Sequence, residues 1–126
     1  MDTEVRSLFY KYMKKYRVQI FTEEYAVNVF IGKRDWCIKE GAKYTTYSPR
    51  TIKKDFTGRG ITYNVFPEKN PLILIDGELK ATTQIATIAH EAIHAIDYMM
   101  DYLNIDSKET EFRGHAVACL LRSILK

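Results

Sequence analysis

Two of the chain's three histidines stand four residues apart in His90-Glu91-Ala92-Ile93-His94, with a glutamate directly after the first. On a helix, residues i and i+4 are neighbours on one face, so two imidazoles at this spacing can converge on a single ion. Zinc accepts such nitrogens at about 2.0–2.1 Å. Glu91 falls one residue beyond the first histidine, where it can reach a water held by the ion without binding the ion itself. A carboxylate in that place is a general base, and later delivers the proton to a leaving amine. The spacing predicts metal-dependent hydrolysis, with Zn2+ as the cofactor.

That chemistry requires residues 83–103 to be helical, and their pattern predicts a helix. Ile85, Ile88, Ala89, Ala92, Ile93, Ile96, Met99 and Leu103 fall on one broad arc at about 100° per residue. His90, His94, Asp97 and Asp101 form a narrow stripe nearly opposite, with Glu91 at its edge. Thr82 or Thr83 is the expected N-cap. Asp97, one turn after His94, is placed to orient an imidazole through its second N–H. Asp101 reads as a solvated or capping residue.

A catalytic zinc needs a third protein ligand and one open position. The stretch NIDS breaks the helical pattern, and Ser107 is a candidate cap for a last helix over 108–125. On that helix Glu111, His115, Ala118 and Arg122 share one stripe, while Val117, Leu120, Leu121 and Ile124 lie on the other side. Two antiparallel helices joined by a short loop would set Glu111 against His90 and His94, making Glu111 the candidate third ligand. His115, one turn on, is a candidate catalytic donor to an oxyanion, a residue supporting a ligand from behind, or a competing ligand. Tyr47, Tyr63 and Tyr98 are further phenol donors, but with nine tyrosines in the chain packing is the better reading for any one of them.

The first half supplies the frame. Val5, Leu8, Phe9, Tyr12, Met13 and Tyr16 predict an amphipathic helix over 3–16. VQIF and YAVNVFI read as strands, DWCIKE as a further short strand, and 32–60 as largely loop with one helical turn around 49–56. GITYNVF and PLILID are two more strands across the turn signal PEKN. The unbroken apolar run LILI marks a central strand covered on both faces. The order helix, strands, helix, helix predicts an α+β fold with a small, mostly antiparallel sheet, as one domain over 1–126.

HEAIH followed by ETEFRGHAVACLL resembles the minimal gluzincin-type zinc peptidases of phages and mobile elements, and the ImmA/IrrE-like peptidases. In the latter a helix with HExxH precedes a helix reading Glu-Ala-x-x-Phe-Ala. The resemblance covers roughly residues 72–125 and sets Glu111 on the metal-binding glutamate and Ala116 on the following alanine. Phe112 stands where the family has a small residue, and His115 where it has an aromatic. The resemblance implies a zincin-like core and zinc-dependent hydrolysis of a peptide or protein substrate. It also implies a substrate lying extended along an edge strand, with PLILID or GITYNVF bordering the cleft.

Composition narrows the alternatives. With 46% hydrophobic and 28% charged residues the chain is an ordinary globular protein. The net charge of +3 is concentrated at Lys11, Lys14, Lys15 and Arg17, then at Arg50, Lys53, Lys54 and Arg59. No helix-turn-helix, zinc-finger or RNA-binding signature accompanies these bases, so they read as a solvated face rather than a nucleic-acid patch. Cys37 and Cys119 lack CxxC partners, which fits a reducing cytosol. The N-terminus lacks a signal peptide's apolar core, and PLILI is too short to cross a membrane. The expectation is a cytoplasmic protein, in a bacterial or phage-infected cell, without membrane association. Two other functions compete: a non-catalytic zincin-fold protein that binds a peptide or partner, and an accessory protein with a structural zinc. Glu91 favours catalysis, because a structural site needs no base, and neither cysteine falls on the histidine stripe.

Overall fold

The computed structural model describes residues 13–20, 25–106 and 108–125. Most of the expected N-terminal helix lies outside these residues, as does Ser107, the candidate cap of the last helix. The final turn of that N-terminal segment is described, and it is not helical. Residues 14–16 belong to a strand, β1 (Lys14–Gln19), in which Tyr16 and Val18 turn inward and Lys15, Arg17 and Gln19 turn outward. Alternation at period two outweighs the helical spacing here, because the strand has a partner to pair with.

That partner is β2 (Ala26–Gly32), buried along its whole length and antiparallel to β1. β3 (Gly60–Tyr63) and β4 (Leu72–Asp76) complete a sheet of order β1-β2-β4-β3. β2 and β4 run parallel, while β3 and β4 run antiparallel. The sheet is therefore mixed. LILI lies inside it, with Leu72 to Ile75 wholly buried, and β3 forms one edge.

Both faces of the sheet are covered. On one side pack α1 (Arg34–Gly41) and α2 (Pro49–Asp55), over Phe30, Leu72, Leu74 and Tyr63. The expectation of a strand at DWCIKE is corrected: the segment is helical. It buries Cys37, Ile38 and Gly41, a helical spacing, and places Asp35 in its first turn and Lys39 in its last, where the helix dipole favours them. α2 is the single helical stretch expected near 49–56. It starts at Pro49, with the Ser48 hydroxyl accepting from the Thr51 amide at 3.2 Å.

On the other face lie α3 (Ala81–Tyr102) and α4 (Thr110–Ile124), over Val27, Val29, Ile31, Ile73 and Ile75. α3 begins after Lys80 without a side-chain cap, so neither Thr82 nor Thr83 serves as its N-cap. It ends in a left-handed Asn104 (φ 56°), with Ile105 N–H donating to Met100 O and Asn104 N–H to Asp101 O. Asparagine tolerates this conformation, and the two bonds satisfy the last carbonyls of the helix.

The covered face of α3 is also rotated from the apolar arc. Thr87 and Glu91 are buried alongside Ile88, Ala92, Ala95, Ile96, Met99 and Met100, whereas Ile85, Ile93 and Leu103 are exposed. The sheet and the β3 edge decide which side is covered, and the helix carries more apolar surface than they can hide. One polar group interrupts β2: Asn28, 7% exposed, on the α1 face of the sheet. No helix among the described residues is long and apolar enough to cross a membrane.

Candidate metal centre

α3 presents His90 and His94 to solvent one turn apart, and brings their Nε2 atoms to 3.2 Å. The rings meet edge to face, with centroids 4.7 Å apart. Two ligands of a tetrahedral zinc stand about 3.3 Å apart when each bond is about 2.0–2.1 Å. The imidazole pair therefore fits one ion. Either ring can be the donor in the bond they make with each other, according to tautomer.

Glu91 turns from this exposed stripe toward the sheet, where it is 7% exposed. Its Oε2 accepts from the Thr62 hydroxyl at 2.7 Å, and Thr62 Oγ1 also lies 3.2 Å from the Glu91 carbonyl. A buried carboxylate is costly unless hydrogen-bonded, and Thr62 supplies that bond. Thr62 and Gly60 face α3 because β3 alternates, with Gly60 opposite Ile75 and Thr62 opposite Ile73. Gly60 allows the close approach: a Cβ there would stand 2.8 Å from Thr87 Cγ2 and 3.1 Å from Glu91 Cγ.

The strand itself is held from outside. Arg34 donates to Phe56 O at 2.9 Å and to Gly58 O at 2.6 Å, and pairs with Asp76 at 3.3 Å. Asp76 N–H donates to Arg59 O. Together these contacts fix the entry of the chain into β3.

Two adjoining cavities flank the glutamate. One, of about 560 Å³, is lined by Thr62, Asn64, Glu91, His94, Asp97 and Asp101. The other, of about 390 Å³, is lined by Arg59, Thr87, His90 and Glu91. The Asn64 Oδ1 is buried and has no partner among the described residues. Neither Thr62 nor Asn64 stood out in the sequence. Alternation along GITYN shows that every second residue shares a face, but not which face meets the helix.

The remaining candidates are placed elsewhere. Asp97 Oδ1 lies 2.8 Å from Arg113 Nε, with the N–H off the line of a hydrogen bond, so the acid pairs with α4. Glu111 and His115 lie 3.7 Å apart on α4, with their side chains 92% and 72% exposed. Asp97 opposite Arg113 sets the register of the antiparallel helices. Glu111 then sits level with residues beyond Asp97, about 7.5 Å along the axis from His94 at 1.5 Å per residue. Among the described residues no three His, Cys, Asp or Glu side chains gather closely enough to hold a metal together.

The hydroxyls of Tyr98 and Tyr63 are occupied. Tyr98 donates to Phe66 O at 3.3 Å while lining the larger cavity. Tyr63 donates to Asp55 at 3.2 Å and packs on Tyr47. Burial first, then the neighbouring Asp55, pushes the Tyr63 phenol above its ordinary range. Comparison of the chain with protein-family models, curated proteins and solved structures finds no match.

Proposed function

We propose that the chain is a zinc-dependent metallopeptidase acting on a peptide or protein substrate. The observation that carries this reading is the His90–His94 pair, 3.2 Å apart at a solvent-facing groove, with Glu91 buried between that groove and an edge strand. His90 and His94 would hold the ion, which supplies Lewis-acid polarisation of a carbonyl and activation of water. Glu91 takes the proton from the attacking water and returns it to the departing amine. Thr62 fixes the rotamer of Glu91 through Oε2, so the base needs no reorientation as the proton moves. β3, short and at the sheet edge, offers backbone groups to an extended peptide, and the cavity beside it reaches from Asn64 to Asp101. The resemblance nominates Glu111 as third ligand with His115 as the alternative.

The edge strand and groove equally serve a second reading, a zincin-like cleft that holds a peptide without cutting it. One experiment separates the two. Elemental analysis of the purified chain is expected to find about one zinc, lost in His90→Ala. Glu91→Gln is expected to keep the metal while losing cleavage of a peptide library. If the wild type binds zinc and peptides but cleaves none, the binding reading replaces the catalytic one. The same analysis on Glu111→Ala and His115→Ala identifies the third ligand.

A further inference from the structure

On the face of the sheet away from α3, a cavity of about 510 Å³ opens over the end of β1 and β2. Its floor is Asn28. This side chain is 7% exposed, in a strand that is otherwise Ala, Val, Phe, Ile and Gly, and it makes no hydrogen bond among the described residues. Its backbone is satisfied by pairing and by Pro71 O, so the unmet groups belong to the amide alone. The amide opens onto the cavity, where its donor and acceptor are available to a ligand.

The surroundings indicate which ligand. Arg17 is the direct cross-strand partner of Asn28, and the two face the same side of the sheet. Arg17, Lys43 and Lys69 line the cavity along with Tyr44, and Glu68 is the one acid there among the described residues. Among those residues neither Arg17 nor Lys69 has an ion pair or hydrogen bond, while Lys43 shares Glu40 with Lys15. With Lys15 and Glu40 counted beside the lining residues, four cations stand against two carboxylates, an excess of about two positive charges, which a dianion balances.

We infer that this cavity binds a phosphate group, seated on the Asn28 amide and the Arg17 guanidinium, with Lys43 and Lys69 neutralising the remaining charge. The fork of Arg17 matches phosphate geometry, and Asn28 supplies a neutral donor at the bottom, where an ammonium would be costly to bury. The site lies across the sheet from the histidines and does not depend on what they do.

Inorganic phosphate is the first probe, titrated against the full chain at constant ionic strength with chloride as the control. Phosphate is expected to raise the melting temperature and to shift the Asn28 side-chain amide resonances, with chloride doing neither. Arg17→Gln is expected to fold normally and to weaken the Kd about tenfold or more. Asn28→Leu removes an unpartnered amide from an apolar strand, so it should fold at least as stably while losing the response to phosphate. Lys53→Gln, which carries the same charge change at a distance on α2, should keep the wild-type affinity. Phenyl phosphate is the second probe: tighter binding than the free ion assigns the site to a phosphate ester with its organic part near Tyr44, and weaker binding to the ion itself. Equal responses to phosphate and chloride, a wild-type response in both Arg17→Gln and Asn28→Leu, or equal weakening by Lys53→Gln, would overturn the inference.

Discussion

The Thr62 hydroxyl donates to the Glu91 carboxylate at 2.7 Å across the seam between β3 and α3. This bond couples an edge strand to the glutamate of the histidine motif. Removing the donor leaves a buried carboxylate uncompensated. Thr62→Val, nearly the same shape, should therefore cost about 1–3 kcal/mol in a denaturant melt. Adding Glu91→Leu should recover most of that loss, since an apolar pair leaves nothing unsatisfied. A double variant as unstable as Thr62→Val alone would show that the bond is incidental.

Gly60 is the second constraint on that seam. Its neighbours leave no room for a methyl group: an added Cβ would meet Thr87 Cγ2 at 2.8 Å, Ile75 Cδ1 at 3.0 Å and Glu91 Cγ at 3.1 Å. Gly60→Ala should push β3 away from α3 at a cost of about 1–3 kcal/mol. Hydrogen exchange should locate the loosening in β3 and the first half of α3. Gly58→Ala, with nothing within 4 Å of the added methyl, is the neutral control.

Because His90 and His94 are exposed, they carry little of the fold. Alanine at either position should leave the metal-free stability within about 0.5 kcal/mol of wild type. Added zinc should stabilise the wild type, by about 2.7 kcal/mol at a hundred times its Kd, and should stabilise neither variant. Calorimetry with and without zinc reads both effects.

The Cys37 thiol, buried beneath β2 and β4, is pushed up from its ordinary 9.0 to about 12, chiefly by burial and then by Asp76. The unfolded chain gives up this proton near pH 9 while the folded chain keeps it. The folded state thus holds more protons above that pH, and stability falls as pH rises from about 9 toward 12. Tyr25 and Tyr63 are raised as well, mainly by burial, and add to the loss in the alkaline range. Urea midpoints from about pH 8 to 11 should decline, and Cys37→Ala should make the decline shallower. At about pH 8 a thiol reagent should modify the half-buried Cys119 well before Cys37.

How much of this was legible in the sequence depended on the range of the interaction concerned. α3 was plain, because its many turns repeat one period and its two histidines repeat it again. LILI was legible as an inner strand because only a doubly covered strand has no polar side. DWCIKE was not legible: three apolar residues in a row fit either period, and the helix forms because α2 and the sheet are there to cover it. The burial of Glu91 and Asn28 depended on which face a distant strand would meet. Glu111 illustrates the same point between helices. Its own stripe could be read from spacing, but its level relative to His94 follows from the contact of Asp97 with Arg113.

The parallel pairing of β2 with β4 has a consequence for how the chain reaches this state. β1 and β2 can zip together as soon as they are made, since their partners are close in sequence. β2 cannot acquire its second neighbour until α1, α2 and β3 have all emerged and β4 has been threaded between β2 and β3. Closing so long a loop is entropically slow, and until it closes the apolar edge of β2 has no mate. Folding of the centre therefore waits for the second half of the chain, and the half-made protein is the form most exposed to aggregation.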